Sequence, residues 1–284
     1  MQLRTMTSAD MPAGMRLKEI AGWNQTEADW QRFLAASREG CFVVEVDGAV
    51  RGTATTISYQ GRFAWIGMVL VDPAYRGRGI GTMLLGKTIA YLDEQGIGCM
   101  KLDATPAGKP IYERLGFVAE FEIERWILER LPRPGATSGS IPPETMPVPL
   151  FDQLLRADRE AFGADRSMLL RSIHHASPQF TNGLWNAGGI EGYAFARQGS
   201  FADHLGPWIA KDQATANQLL KTFLAQCARE SVVVDSPRIN PFVRPLLQAH
   251  GFTFSRMLTR MFRGENQFPG RPELLCGIMG PEFG

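Results

Sequence analysis

Between Pro132 and Pro149 the chain reads PRPGATSGSIPPETMPVP, and this stretch restricts the architecture more than any other. It holds six of the 18 prolines beside glycine, serine and threonine. Proline has no amide donor and pushes the residue before it out of the helical region, so neither a helix nor a central strand can run through it. The segment predicts two domains, residues 1–131 and 150–284, joined by a semi-rigid linker over 132–149. With 284 residues in all, each half is long enough to bury its own core.

Thirty Lys and Arg against 29 Asp and Glu leave a formal charge of +1. No excess positive field exists to hold nucleic acid or an anionic membrane, and neither is expected as a partner. The opening MQLRTMTSADMPAGM lacks an apolar signal core, and uninterrupted apolar runs such as Met68–Val71 fall far short of the ~20 residues that cross a bilayer. A cytoplasmic protein is the expectation. Cys41, Cys99, Cys227 and Cys276 are scattered without CxxC spacing, so reduced thiols are expected rather than a disulfide framework. All four histidines lie in the second half. The first half therefore has no histidine for a base, a Ser-His-Asp triad or a metal, and no metal is expected.

Periodicity organises the first half. Met11–Ile20 and the stretch after Thr26, where Trp30, Phe33 and Leu34 recur, have helical spacing. CFVVEVDG and VRGTATTIS are rich in β-branched residues and meet across Asp47-Gly48, a hairpin signal. A strand over Phe63–Val71, a helix from Ile80 to about Glu94, a strand Met100–Ala104, a helix Lys109–Leu115 and a strand Phe121–Glu129 follow. This order predicts an α/β fold with a mixed, mostly antiparallel sheet flanked by helices. The second half repeats it: helices Leu150–Ala161 and Ser167–His175, strands near Leu184–Ala187, Gly192–Ala196 and Pro207–Ala210, helix Gln213–Arg229, strand Ser231–Asp235, helix Pro241–His250 and strand Phe252–Phe262. KLDATP followed by YERLGF in one half echoes VVDSP followed by LLQAHGF in the other. Duplication of one fold is the simplest account.

The most informative run is VDPAYRGRGIG, Val71–Gly81, where an apolar strand feeds a turn and then a helix. Glycines at 77, 79 and 81 let the backbone approach a ligand and take dihedrals closed to other residues. Their amides, followed by the positive end of a helix dipole, suit phosphate oxygens, and Arg76 and Arg78 can add charge-assisted contacts. A plain exposed turn would also use such residues. Gly81–Thr88 fits GxxxxGK[ST], the pattern of nucleoside triphosphatases. Its context opposes that reading, because Met83-Leu84-Leu85 reads as helix interior and no strand leads directly into Gly81.

The segment VDPAYRGRGIG resembles the central motif of the GNAT superfamily of acyl-CoA-dependent N-acyltransferases, and Tyr112-Glu113-Arg114-Leu115-Gly116-Phe117 is similar to its downstream Y-x-x-x-G-F element. The resemblance covers residues 1–130 by motif and the remainder by architecture. It implies that Arg76, Gly77, Arg78, Gly79, Ile80 and Gly81 meet the pyrophosphate of acetyl-CoA. It further implies that Met68, Val69, Leu70 and Val71 face pantetheine on a strand splayed from its neighbour. The joining loop of the first two helices selects the acceptor in that family, which points to Trp23, Asn24 and Gln25. An aromatic beside two amides suits a small polar amine, although turn residues also serve as caps.

Tyr112 makes chemical sense as the acid. An amine attacking a thioester must expel a thiolate, whose thiol has a pKa near ~8.5, and a phenol near ~10 can assist its departure. The attacking amine, near ~10.4 when alkyl, must itself lose a proton. The strand Phe63–Val71 carries no carboxylate, so Asp103 is the nearest acidic candidate for the base, with a plain hydrogen-bonding role equally open. Thr105 stands where many members carry Asn.

In the second half the turn after Trp208-Ile209-Ala210 reads Lys211-Asp212-Gln213, without glycine, and Leu247 stands where the tyrosine would be. A degenerate copy that binds no CoA is expected. His174 and His175, adjacent on a helix, do not face one site and read as structural. The expectation is an N-acetyltransferase that moves an acetyl group from acetyl-CoA to a primary amine of a small molecule by direct attack, as a monomer or weak homodimer. The rivals are an acyl-CoA sensor without turnover and the triphosphatase.

Overall fold

The computed structural model describes residues 1–129, 146–227 and 229–284. The expected linker therefore lies outside the described residues except for its last four. Two compact units emerge, and neither is one contiguous half of the chain. The first comprises Met1–Glu120, Thr259–Phe268 and Pro281–Gly284, the second Phe121–Leu258 and Pro269–Gly280.

In the first unit, strand β1 (Gln2–Thr5) precedes helices α1 (Met11–Ile20) and α2 (Glu27–Ala36). Strands β2 (Phe42–Val46), β3 (Ala49–Tyr59) and β4 (Phe63–Val71) then form an antiparallel meander. Asp47 and Gly48 both take positive φ, 53° and 73°, as a two-residue hairpin matched to strand twist requires. Helix α3 (Ile80–Glu94) carries the chain over to β5 (Cys99–Ala104), parallel to β4, and α4 (Lys109–Arg114) follows. The strand order is β1-β2-β3-β4-β5, and the last position is filled from far along the chain. The second half of β11 (Thr253–Gly264) pairs antiparallel with β5, Thr259 opposite Ala104 through Gly264 opposite Cys99. Ala64, Ile66, Met100, Leu102 and Met261 close one face of this sheet against Leu85 and Leu92 of α3.

At the head of this unit Arg4 donates to both oxygens of Asp10 at 2.8 Å, and the Thr7 amide donates to Oδ2 at 2.8 Å. The Arg4 hydrogen bonds hold the Asp10 carboxyl below its ordinary value. A lowered folded-state pKa gives stability that is present above the unfolded value of ~3.9 and lost as pH falls through the folded one. Asp10→Ala is expected to cost about 1–2 kcal/mol at neutral pH, discounted for the partial exposure of Arg4. The difference from wild type should shrink below about pH 4 in denaturant titrations.

In the second unit, β6 (Val118–Glu129) contributes its residues from 121 onward, followed by α5 (Val148–Phe162), α6 (Ser167–Ala176), β7 (Asn182–Asn186), β8 (Gly189–Gln198) and β9 (Asp203–Ala210). Helix α7 (Gln213–Gln226), strand β10 (Ser231–Pro237), helix α8 (Val243–Ala249), the first half of β11 and the short strand β12 (Leu275–Gly277) complete it. The order β6-β10-β9-β8-β7 repeats the element sequence of the first unit, with β6 antiparallel to β10 and β10 parallel to β9. Trp208, Leu219, Leu220, Phe223, Val232 and Val234 centre its core. The Arg125 guanidinium grips the fully buried Asp235 with two hydrogen bonds of 2.8 and 2.7 Å.

Candidate active site

The site in the first unit begins where β4 leaves β5. Their ladder runs over only two residue pairs, Ala64 with Met100 and Trp65 with Lys101. On its other edge β4 stays paired with β3 as far as Val71 opposite Gly52, with a register shift between Thr53 and Thr55. The shift is a bulge at Met68, whose φ is 49° and whose carbonyl accepts from Thr53 Oγ1 at 2.8 Å. From Gly67 to Val71 the β5-facing edge of β4 is thus a row of backbone groups suited to pairing with an extended amide-bearing ligand. Met68 and Leu70 are buried, while Val69 and Val71 pack with partly buried side chains on the α3 side.

Asp72 anchors the turn after β4. Its carboxylate accepts from the Ala74 amide, and from Arg16 and Arg51 at 3.1 Å each. Gly77 and Gly79 take φ of 75° and 80°, in the left-handed region that side chains disfavour, and open space surrounds both. Gly79 is the residue that opens α3, so the amides of Ile80, Gly81 and Thr82 have no intrahelical acceptor and lie at the positive end of the dipole. This combination fits a diphosphate. The two arginines take other posts: Arg76 Nε donates to the Val71 carbonyl at 3.3 Å, and Arg78 stacks over the Tyr75 ring at 4.8 Å, with Arg51 over the same ring at 4.4 Å. The triphosphatase reading is overturned here. Gly81–Thr88 lies inside α3, where Thr88 Oγ1 donates to the Leu84 carbonyl at 2.8 Å, so the motif forms no loop.

Tyr112 sits on α4, half-buried, its ring edge-on to Phe117 at 6.0 Å. It packs on the same apolar cluster as Val69, which brings the helix-borne phenol and the splayed strand together. Burial pushes the phenol up to about 12. It is therefore fully protonated at neutral pH.

Asp103 does not offer an open carboxylate. Both of its oxygens accept from Arg260 of β11 at 2.9 Å, and the same guanidinium lies 4.5 Å over the Trp65 ring. A carboxylate held in a bidentate pair is a poor proton acceptor, because taking a proton would break that pair. Its partner is 157 positions away, beyond the reach of any sequence spacing. The loop from Trp23 to Gln25 follows α1, with the Trp23 amide donating to the Lys18 carbonyl at 2.9 Å. Asn24 and Gln25 are buried, and Trp23 is half-buried. The capping task falls to Thr26 and Asp29, whose reciprocal bonds start α2. The three loop residues are thus not needed as caps.

The corresponding cleft in the second unit is filled by the protein itself. Strand β9 pairs with β10 over Asp203–Leu205 and then departs, as β4 departs from β5. Into the gap comes β12, with Leu275 opposite Ile209 and Gly277 opposite Trp208. The Ile278 amide then donates to the Asp235 carbonyl of β10 at 2.9 Å. At the start of α7 the Asp212 carboxylate accepts from the Thr215 amide at 2.8 Å, placing a negative charge where a phosphate would otherwise sit. His174 bonds Thr181 Oγ1 at 2.9 Å and packs on Phe151. Among the described residues no group of three metal-ligating side chains forms, and no helix is long and apolar enough to cross a membrane.

Comparison with known proteins agrees with this geometry. The model of the acetyltransferase (GNAT) family matches residues 7–117, and that of an acetyltransferase (GNAT) domain matches residues 154–277. The chain is 24% identical over 263 residues to the holothin acyltransferase of Pseudoalteromonas sp. (strain SANK 73390), covering 92% of this chain and 87% of that protein. It is 29% identical over 192 residues to the uncharacterized N-acetyltransferase YitH of Bacillus subtilis, 68% of this chain and 67% of the relative. A crystal structure of an acetyltransferase-type protein from Pyrococcus horikoshii superposes with a TM-score of 0.80 at 20% identity, covering 100% of this chain and 95% of that one. Two matches to one family, together spanning most of the sequence, accompany one strand-turn-helix plan built twice. The chain belongs to the GNAT acetyltransferases and carries two such domains in tandem.

Proposed function

We propose that the first unit transfers an acetyl group from acetyl-CoA to a primary amine of a small molecule, and that the second unit binds no CoA. The observation that carries the first part is the left-handed pair Gly77 and Gly79 opening α3 directly after a strand that has parted from its neighbour. The turn amides would hold the pyrophosphate and the free edge of β4 the pantetheine, leaving the thioester near the bulge at Met68. Bound there, acetyl-CoA supplies the activated acyl group. Tyr112 then has one task, to donate a hydrogen bond to sulfur as negative charge builds on it. A phenol at about 12 facing a thiol near ~8.5 makes complete proton transfer uphill by about 5 kcal/mol. Its work is therefore mainly electrostatic stabilisation, completed by exchange with solvent.

Trp23, Asn24 and Gln25 are assigned to the acceptor, and the near-zero charge favours a small molecule over nucleic acid. The relative that spans most of the chain is itself an acyltransferase acting on holothin, which supports turnover over silent sensing. Purified protein should release CoA thiol from acetyl-CoA in the presence of a primary amine drawn from a broad panel, and calorimetry should saturate at one equivalent of acetyl-CoA per chain. Binding without thiol release across the panel would favour the sensor. Two equivalents would refute the silence of the second unit.

A further inference from the structure

Among the described residues, Asp47, Gln60 and Met68 are the non-glycines with positive φ. Asp47 and Gln60 stand in the turns that join β2 to β3 and β3 to β4, where such dihedrals reverse the chain. Met68, at 49°, stands inside a strand. A side chain stays in that region only where its surroundings impose it, and the bond in place is the 2.8 Å one from Thr53 Oγ1 to the Met68 carbonyl. Ala54 belongs to the cluster beneath α3, so Thr53 points to the opposite face of β3, where it is fully buried. The second unit supplies a control. There Gly192 faces Ala210 as Gly52 faces Val71, so Tyr193 stands where Thr53 does, and the register again shifts, between Ala194 and Ala196. The Tyr193 hydroxyl, however, donates to Asp158 of α5 at 2.9 Å. A bulge at this point of the sheet thus forms with that hydroxyl directed elsewhere, and the fold alone does not account for the bond that Thr53 makes.

Resting on the acetyl-transfer reading above, we infer that Thr53 is a positioning residue for the reaction: its hydroxyl pins the Met68–Val69 peptide so that the Val69 amide donates to the thioester carbonyl oxygen. The direction follows from the planarity of the peptide. In a trans peptide the N–H points opposite the C=O, so drawing the Met68 carbonyl toward β3 turns the Val69 N–H away from β3. The ladder agrees. The Asp72 amide donates to the Arg51 carbonyl at 2.8 Å, so by alternation the Leu70 amide also faces β3 and the Val69 amide faces the other edge. That edge is the one β5 leaves unpaired beyond Trp65. As the amine nitrogen bonds to the thioester carbon, the π electron pair moves onto the carbonyl oxygen. It returns when the carbon–sulfur bond breaks with its own pair on sulfur. A donor already aimed at that oxygen needs no reorganisation while the charge develops. Without the hydroxyl the peptide is free to turn about its flanking bonds, and the aim is lost.

The test uses the full chain and a primary amine that the wild type acetylates. Thr53→Val keeps the shape of the side chain and removes the hydroxyl, while Thr53→Ser keeps the hydroxyl. Thr53→Val is expected to lower kcat roughly 10²-fold, as misplacing one group at a reacting centre does, with the acetyl-CoA Kd within about twofold. Thr53→Ser should remain within about threefold of wild type in both quantities. A second readout needs no turnover. Isotope-edited infrared spectra of acetyl-CoA bound without amine should place the thioester C=O stretch below its free value in wild type and Thr53→Ser, and return it toward the free value in Thr53→Val. A role confined to folding would lower the melting temperature and leave that band in place. Wild-type kcat in Thr53→Val, an equal loss in both variants, or a band that does not differ between them would overturn the inference. Loss of acetyl-CoA binding together with turnover would overturn it as well. Should Thr53→Val not fold, Thr53→Ala replaces it in the same comparison. Wild-type protein that binds acetyl-CoA yet acetylates no amine overturns the parent reading and this inference with it, whereas active wild type beside an unmoved Thr53→Val sinks only Thr53.

Discussion

Tyr112→Phe should lower kcat about 10²–10³-fold, the loss expected when one hydrogen-bond donor to a developing anion is removed from a partly dry site. The ring's packing on Phe117 and the Val69 cluster survives the change. Stability and acetyl-CoA affinity should therefore stay close to wild type, and the whole effect should appear in turnover. The pH dependence carries a sign. Because burial raises the phenol to about 12, Tyr112 remains the protonated donor far above neutrality. Alkaline loss of activity attributable to it should fall near 12 rather than near the ~10 of a free tyrosine. Steady-state rates measured to high pH with both proteins decide this, and unchanged turnover in Tyr112→Phe removes the residue from the reaction.

Gly79→Val should weaken acetyl-CoA binding by about 10²-fold. Nothing crowds a side chain at this position, so the penalty is conformational: φ of 80° is a region that a β-branched residue avoids. The turn must refold to escape it, rotating the amides at the head of α3 away from one another. Losing two hydrogen bonds to charged phosphate oxygens, at about 1.5 kcal/mol each, amounts to that hundredfold. The helix itself is set by Leu84, Leu85 and Leu92 against the sheet and should persist, so circular dichroism should match wild type. A Gly79→Val protein with wild-type affinity would show that the turn is only a turn.

Most elements were legible because their boundaries are local chemistry. The helix at Met11–Ile20 and the strand at Phe63–Val71 follow from periodicity, and the hairpin from Asp47-Gly48. The glycine turn was legible for the same reason, since a left-handed residue between strand and helix demands glycine. Partnership was not. Alternation in Thr253–Gly264 states that a strand has two faces, but not that its second half pairs with β5 of the first unit. The ion pair of Arg260 with Asp103 follows from that pairing, so the commitment of the Asp103 carboxylate was hidden for want of a contact rather than of a motif. Residues Pro281–Gly284 had no periodic signal at all: PEFG is too short, and its place in the first unit rests on two side chains, Trp65 and Tyr59, more than two hundred positions away. The proposed silence of the second unit was half-readable. The missing glycines announced it, while the strand Leu275–Gly277 that fills the cleft did not.

The account depends on where coenzyme A is gripped, and a crystal structure of the protein with acetyl-CoA bound tests this directly. The expected map shows one molecule per chain, its pyrophosphate on the amides from Gly77 to Gly81 and its pantetheine along the free edge of β4. Density for the cofactor in the β9–β10 cleft, or on any surface away from that turn, would contradict it.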